Sequence, residues 1–407
     1  DQESEILIAS IRKIVLSKGN LWTEALNNLK LTLNFEKYLS GEIVDEINLL
    51  IDELTPTDLK NQLYLKVTKP EWDSNYKDDL GNYTDKPKIN AEEFAKTIIE
   101  NKLRLTYFLE DLLHVDQRQA FNFGKKIGEL TKEKESLVEI VIRSLKKISK
   151  ENQNPELVAG IISNSKFKVL ARKTIDIFIS DEVIRHHSFY LTRVIDTTYK
   201  DIEKLFLLVD KFDFSIKQFQ NFQFGRALHK LTDREVIMLC QKISEYGITG
   251  KWTSLSLIYS YCYNNDEMWD QNKDFFKDLI ASENLIIDYD ANNSIESYLW
   301  SDSVEKLLKD NDEKFAISIT KQIIKFCSQT DFNYSFDTNL KNTISILLEK
   351  YFDSIWQYIG EGIIGDYLTF YHLEQMIGTK NGYFDAKEGI IFRNQEQNKI
   401  ILEWCRK

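Results

Sequence analysis

The chain has 407 residues, enough for roughly two to four compact domains of ~100 to 200 residues or for one elongated repeat array. Its formal net charge of -11 disfavours general binding to a phosphate backbone, although it leaves room for a local basic patch. Hydrophobic residues make up 43% and charged residues 29%, which is typical of a folded, soluble chain and excludes disorder as the default. Protein or small cationic partners are therefore favoured over nucleic acid.

The first part of the chain, residues 1–68, is predicted to be helical. Apolar residues recur at three- and four-residue steps in four segments, 3–17, 21–35, 41–54 and 57–67. In the third segment this pattern stops at Thr55 and Pro56, and Asp58 is a plausible start for the next helix. The whole chain holds only four prolines, so few helix interiors are interrupted.

Residues 69–90 read KPEWDSNYKDDLGNYTDKPKIN, show no helical period and are predicted to form a long polar loop. A loop of this length inside a helical array is usually functional or disordered. Its aromatic residues Trp72, Tyr76 and Tyr83 are suited to contact with a partner protein, and we predict them as partner-binding residues. The alternative is that they pack against their own scaffold.

A short stretch occurs twice in the region of central helical repeats, residues 91–284. Residues 119–131 read QAFNFGKKIGELT and residues 220–232 read QNFQFGRALHKLT, within two related blocks near 119–163 and 220–263. A glycine inside a helix costs about 1 kcal/mol relative to alanine, so close approach of another helix is expected at each repeated glycine. The predicted structural repeat core comprises Phe121, Phe123, Gly124, Phe222, Phe224 and Gly225.

The C-terminal region, residues 285–407, is predicted to be helical with a small loop or hairpin near 379–393, where Asn381-Gly382 and Gly389 flank short apolar runs. Helices of ten to twenty residues with short connectors pack as antiparallel neighbours. The predicted fold class is therefore all-α, an α-solenoid of antiparallel helix pairs resembling HEAT or TPR repeats.

No catalytic, cofactor-binding or metal-ligating constellation can be identified in the sequence. The histidines are scattered, and the adjacent His186 and His187 lack the i, i+4 spacing of a zinc helix, so we expect them to be surface or capping residues. Phosphate-binding glycine loops and nucleophile elbows are missing. Two basic clusters could meet an acidic ligand or could simply face water: Lys146, Lys147 and Lys150, and Lys166, Lys168, Arg172 and Lys173.

The four cysteines have no short spacing, which favours free thiols in a reducing compartment, and we predict a cytoplasmic protein. No apolar run approaches the ~20 residues that span a bilayer, and the N-terminus does not resemble a signal peptide. The chain lacks an initiator methionine and stops within a helical pattern. We interpret it as a fragment of a longer polypeptide.

Packing motifs over about half of the chain, from Phe123-Gly124 through NPELVAGIIS at 154–163 and FGRAL at 224–228 to ILEWC at 401–405, support a resemblance. The chain resembles the helical-repeat regions that follow the ATPase modules of bacterial STAND-type (NLR-like) and related antiphage defence proteins. The resemblance implies a C-terminal sensor that binds a phage protein and releases an N-terminal effector. Any ATPase or effector activity would belong to other domains of the same polypeptide.

The sequence thus predicts a non-catalytic protein-recognition module, plausibly the ligand-sensing region of a larger bacterial antiphage defence or signalling protein. Three alternatives stay open. A passive scaffold or oligomerisation arm would carry a large apolar self-complementary patch. An enzyme with an unrecognised helical active site would hold a deep pocket with convergent ionisable groups. A nucleic-acid binder would need a continuous basic stripe.

Overall fold

A computed structural model describes most of the chain, and the described backbone is predominantly helical, which confirms the predicted all-α class. The described residues are 6, 8–10, 12–13, 22–35, 38–69, 85–101, 105–115, 117–224, 227–263, 265–282, 285–287, 294–329, 334–377, 379–380, 383–384 and 395–406.

The chain divides into two compact units, unit 1 (Asp1–Asp196) and unit 2 (Thr197–Lys407). The boundary falls inside the predicted region of central repeats and separates its two blocks. The first block, near 119–163, belongs to unit 1, and the second, near 220–263, belongs to unit 2.

Besides its described residues 6, 8–10 and 12–13, which are also helical, unit 1 contains ten α-helices whose bounds the structure defines. They are α1 (Trp22–Phe35), α2 (Gly41–Leu54), α3 (Leu59–Leu63), α4 (Lys86–Glu100), α5 (Leu109–Leu112), α6 (Ala120–Leu130), α7 (Lys134–Leu145), α8 (Glu156–Ile162), α9 (Lys168–Ser180) and α10 (Ser188–Val194). Helix α3 continues as a π-helical turn, Tyr64–Thr68, and four 3₁₀ turns cover Leu105–Tyr107, Lys150–Asn152, Ser165–Phe167 and Arg185–His187.

Several helices of unit 1 begin where a side chain caps the free backbone N–H groups. The Ser40 side chain accepts a hydrogen bond from the Ile43 N–H at 3.4 Å at the start of α2. Asp58 accepts from the Asn61 N–H at 3.0 Å, so the helix start predicted there is present. Asp85 accepts from the Lys88 N–H at 3.1 Å at the start of α4.

Helices α6 and α8 pack backbone to backbone in the core of unit 1. A Cβ atom on Gly124 of α6 would stand 2.4 Å from the Leu157 carbonyl oxygen, and one on Gly160 of α8 would stand 2.1 Å from the Phe121 carbonyl oxygen. Real Cβ atoms do not approach that closely, so both positions need glycine. The close helix approach expected at Gly124 is therefore observed, and Gly160 supplies the other half of the contact.

Unit 2 contains eleven α-helices among its described residues. They are α11 (Tyr199–Glu203), α12 (Phe206–Phe212), α13 (Asp233–Ser244), α14 (Gly247–Cys262), α15 (Asp266–Gln271), α16 (Lys273–Ile280), α17 (Ser294–Leu307), α18 (Glu313–Cys327), α19 (Tyr334–Gly365), α20 (Tyr367–Ile377) and α21 (Gln395–Cys405). Three 3₁₀ helices cover Ile216–Gln223, Leu228–Lys230 and Leu308–Asp310, and strands β1 (Thr379–Lys380) and β2 (Tyr383–Phe384) pair antiparallel with Thr379 opposite Phe384.

The second repeated stretch does not reproduce the helix of the first. Residues 119–131 hold the single α-helix α6, whereas the second stretch and the residues just before it hold the 3₁₀ segments Ile216–Gln223 and Leu228–Lys230. A regular helix begins only at α13, where Thr232 and Glu235 form a reciprocal capping box. Similar sequence at a fixed offset therefore produces different local structure in the two units.

Helix α14 lies in the core of unit 2, and most of its side chains are buried, including Trp252, Leu255 and Ile258. The Trp252 indole N–H donates to the Leu285 carbonyl oxygen at 2.9 Å. The Ser254 hydroxyl donates to the Cys240 carbonyl oxygen at 2.8 Å, which attaches α14 to α13. A helix that is buried on nearly every side is the expected centre of a packed helical unit.

Helix α19 is interrupted at Tyr351, whose backbone angles (φ -126°, ψ 20°) are not helical. The Tyr351 hydroxyl donates to the Leu308 carbonyl oxygen at 2.6 Å, and Lys350 Nζ donates to the same oxygen at 2.8 Å. Two donors thus satisfy the carbonyl oxygen of the first residue of the 3₁₀ turn that follows α17.

Replacing Tyr351 by Phe is expected to lower the free energy of unfolding of unit 2 by about 1 kcal/mol, because one buried hydrogen bond is lost while Lys350 still serves its acceptor. Urea unfolding followed by far-UV circular dichroism measures the change. Tyr358→Phe in the same helix, where no hydroxyl bond to a described residue is present, is the control. Equal losses in both variants would contradict the role assigned to the Tyr351 hydroxyl.

Candidate functional site: a basic surface on helix α9

Helix α9 presents one face outward along unit 1, preceded by the 3₁₀ turn Ser165–Phe167. The Asn164 side chain accepts from the Lys166 N–H at 3.0 Å and fixes the entry to this turn. Inside the helix, Ala171, Ile175 and Phe178 are buried. On the outer face Val169 is 82% exposed, which is high for an aliphatic side chain at the start of a helix.

Two open grooves meet at Val169. The first has a volume of about 450 Å³ and is lined by Lys132, Lys134, Glu135, Ser165, Lys166, Phe167, Lys168, Val169 and Leu170. The second has a volume of about 560 Å³ and is lined by Val169, Arg172, Lys173, Asp176, Ile177 and Ser180. We call the lining residues of both grooves together the α9 surface.

The α9 surface is strongly basic although the chain is acidic. Its lining includes six lysines and arginines against two carboxylates. Around it, residues 125–173 carry twelve lysines and arginines and six acids, in a chain whose net charge is -11. A local excess of positive charge of this kind attracts acidic partners and repels basic ones.

Some of the cations on the α9 surface are partly neutralised. Lys168 forms an ion pair with Asp196, and Lys173 Nζ lies 3.8 Å from the Glu135 carboxylate. Lys134 Nζ donates to the Thr131 carbonyl oxygen at 2.6 Å and lies 4.5 Å from the centre of the Phe167 ring, and neither partner carries a negative charge. Among the described residues, no carboxylate pairs with Lys132 or Lys166.

The residues predicted from the sequence lie elsewhere. Trp72, Tyr76, Tyr83 and Gly225 fall outside the described residues. Phe123 and Phe222 are buried, and Phe121 is half-buried against the core of unit 1. Phe224 is 61% exposed, so it is not a core residue, because the repeated stretch leaves its helix pattern at this point.

The sequence predicts that His186 and His187 lie at the surface or cap a helix, and His187 does occupy the N-cap position of α10, but its side chain makes no capping hydrogen bond. Its side chain is buried, its Nε2 lies 3.2 Å from the Gln153 Oε1, and its ring stands 3.8 Å from the His186 ring. Burial lowers the pKa of His187 to about 3, assisted by the charges of His186 and Lys150. Burial also lowers the pKa of His186.

Glu156, at the start of α8, is a half-buried carboxyl group of unit 1. Burial raises its pKa, and a hydrogen bond with Tyr190 and the charge of Arg193 oppose that rise. The Arg193 guanidinium also lies 4.6 Å from the centre of the Tyr190 ring. These three residues form a small polar cluster within unit 1.

Comparison of the chain with protein-family models, with curated proteins and with solved structures gives no match. Within the described ranges, no group of three or more His, Cys, Asp or Glu side chains is placed to hold a metal ion. Likewise, none of the helices that the structure describes combines the length and apolar character needed to cross a bilayer.

The basic run in the sequence predicted part of the α9 surface, namely Lys166, Lys168, Arg172 and Lys173. The sequence pattern does not connect this run with Lys132 and Lys134, which lie more than thirty positions earlier in the chain. The pattern also gives no role to Val169. The sequence did hold a signal for this surface: Val169 follows Lys168 and precedes Arg172, at a position that the helical period places on the outer face of the helix.

Proposed function

We propose that this chain is a non-catalytic protein-recognition module and that its α9 surface binds an acidic segment of a partner protein. The observation that supports the proposal is the junction of two basic grooves at the exposed Val169 in an otherwise acidic chain. Cations at the rim would steer an acidic partner, and Val169, Phe167 and Leu170 would bury apolar side chains of that partner.

In the wider proposal, the helices pack as antiparallel pairs into an α-solenoid. This recognition module is then the ligand-sensing region of a cytoplasmic bacterial antiphage defence or signalling protein. The support for that part is the sequence resemblance alone. Binding energy would favour one arrangement of the parent polypeptide, and no bond chemistry is required of this chain. The phage protein that such a sensor would bind should then carry an acidic exposed segment.

The test is fluorescence anisotropy with a labelled peptide of alternating glutamate and leucine, at two salt concentrations. The double variant Lys132→Glu/Lys166→Glu is expected to weaken binding by about ten-fold or more, because two attractive charges become repulsive. The peptide should also bind more weakly at high salt, since the cations are exposed.

The matched control is Lys13→Glu/Lys96→Glu, which changes the net charge equally at two exposed lysines of unit 1 outside both grooves and outside residues 125–173. This control should leave the affinity within about two-fold, since distant exposed charges are screened. Equal weakening in both double variants would show that only total charge matters and would overturn the proposed site. Tighter binding of a single-stranded oligonucleotide than of the peptide would favour the nucleic-acid alternative instead.

A further inference from the structure

Helix α20 of unit 2 is held in place along one face. Leu373 is buried on that face, and the ring of the buried His372 donates from Nδ1 to the Cys327 carbonyl oxygen at 2.8 Å. At the start of the helix, the Asp366 carboxylate accepts from the Thr369 N–H at 2.7 Å and from the Thr369 hydroxyl at 2.8 Å. These contacts fix the orientation of the helix, so its opposite face presents a defined set of side chains.

The opposite face of α20 is aromatic and exposed. Tyr367 is 75% exposed, and Phe370 and Tyr371 are each 42% exposed. The rings of Tyr367 and Tyr371 stack, with their centres 6.5 Å apart and their planes at 24°. Glu374 is exposed and stands seven residues after Tyr367, which places it on the same side of the helix. We call Tyr367, Phe370, Tyr371 and Glu374 the α20 face.

The charge around the α20 face has one sign. Residues 351–377 contain four acids, Asp353, Glu361, Asp366 and Glu374, and no lysine or arginine. Within the part of the chain that the structure describes, no cation pairs with Glu361 or Glu374. Exposed carboxylates without a counter-charge attract cations and repel phosphate groups. The charge therefore disfavours nucleic acid and anionic lipid as the occupant of this face.

An arginine side chain matches both the rings and the charge of the α20 face. Its planar guanidinium stacks on an aromatic ring and pairs with a carboxylate. A lysine ammonium would meet Glu374 but offers no flat surface to the stacked tyrosine rings. A wholly apolar partner would cover the rings but would leave the Glu374 carboxylate desolvated without a counter-charge.

We infer that the α20 face binds an arginine-containing basic segment of a partner protein. The guanidinium stacks on the tyrosine rings, and its N–H groups donate to the Glu374 carboxylate. The aliphatic part of the arginine side chain covers Phe370. Because the α9 surface takes an acidic segment, the two sites bind probes of opposite charge, and either can fail without the other.

The experiment is fluorescence anisotropy of the full chain with a labelled peptide of alternating arginine and glycine, which carries no apolar side chain of its own. The double variant Tyr367→Ala/Glu374→Lys is expected to weaken binding by about ten-fold or more, because one ring of the stack is lost and an attractive charge becomes repulsive. The corresponding lysine peptide should bind the wild type about three-fold or more weakly than the arginine peptide, since it forms the ion pair without stacking.

The matched control is Tyr107→Ala/Glu110→Lys in unit 1, where Tyr107 is 74% exposed and Glu110 is exposed. It makes the same change of charge and removes an equally exposed tyrosine, but Lys102 and Arg104 stand close to it in the sequence. Its affinity for the arginine peptide should stay within about two-fold of the wild type. Both double variants should keep the wild-type circular dichroism spectrum.

Four results would each overturn the inference. The first is that the arginine peptide does not bind, and the second is equal weakening in both double variants, which would mean that the peptide follows total charge alone. Equal affinity for the arginine and lysine peptides would rule out stacking on the rings. Self-association of the chain without peptide in sedimentation velocity, abolished by Tyr367→Ala/Glu374→Lys but not by the control, would show that a second copy occupies the face.

Discussion

Gly160→Ala is expected to lower the free energy of unfolding of unit 1 by about 3 kcal/mol or more, because the new methyl group meets backbone atoms that cannot move independently. The added Cβ would stand 2.1 Å from the Phe121 carbonyl oxygen and 2.7 Å from the Lys125 nitrogen. Both atoms belong to helix α6, so relief requires the two helices to separate along their whole contact.

The three glycines of this contact give a graded test. Their added Cβ atoms would come within 2.1 Å at Gly160, 2.4 Å at Gly124 and 2.9 Å at Gly128 of a backbone oxygen on the facing helix. The loss of stability should therefore decrease in the order Gly160→Ala, Gly124→Ala, Gly128→Ala. Urea unfolding measures the loss, and hydrogen exchange with mass spectrometry assigns it to peptides of unit 1.

Gly41→Ala serves as the control in the same unit. Nothing lies within 4 Å of an added Cβ at Gly41, which is the first residue of α2. Alanine at a permissive helix position is expected to be neutral or to stabilise by up to ~1 kcal/mol. Equal unfolding midpoints for Gly160→Ala and Gly41→Ala would show that α6 and α8 are not in backbone contact.

Acidification should destabilise unit 1 through His187. Its pKa is about 3 in the folded chain, against the ordinary value of 6.5, so the unfolded chain binds more protons between these two pH values. Stability due to neutral His187 is therefore complete above pH 6.5 and is lost as the pH falls toward 3. At ~1.4 kcal/mol for each pKa unit, the loss between pH 7 and pH 4 is about 3 kcal/mol.

The variant His187→Gln isolates this contribution. Glutamine can still donate a hydrogen bond to Gln153 but cannot be protonated, so its unfolding free energy should change less between pH 7 and pH 4 than that of the wild type. The difference between the two pH profiles removes the shared effect of other groups. Among those groups Glu156 acts in the opposite sense, since its raised pKa favours the folded chain on acidification. Parallel profiles for wild type and variant would contradict a buried, neutral His187.

Several features of the fold could be predicted from the sequence because they depend on neighbours along the chain. The helical period of residues 41–54 marks helix α2, and Asp58 marks the start of α3. Gly124 inside a helical pattern indicated a close helix contact, since a helix keeps a glycine at a cost unless another backbone approaches it. These signals are local, so they can be recognised in the sequence without knowledge of the fold.

Other features depended on which segments meet in the folded unit. His187 has the same sequence neighbours whether it is buried or exposed, and only its approach to Gln153 places it in the core. Phe224 repeats Phe123, yet it is exposed because the second stretch forms 3₁₀ segments instead of an α-helix.

The α9 surface shows the same division. The sequence by itself determined that the described chain is helical and that Lys166, Lys168, Arg172 and Lys173 form a basic run. Only the tertiary structure placed Lys132 and Lys134 beside that run and left Val169 exposed between two grooves. The physical reason is that helix formation follows from periodicity within about ten residues, whereas a surface is assembled by packing between segments whose separation along the chain the pattern does not encode.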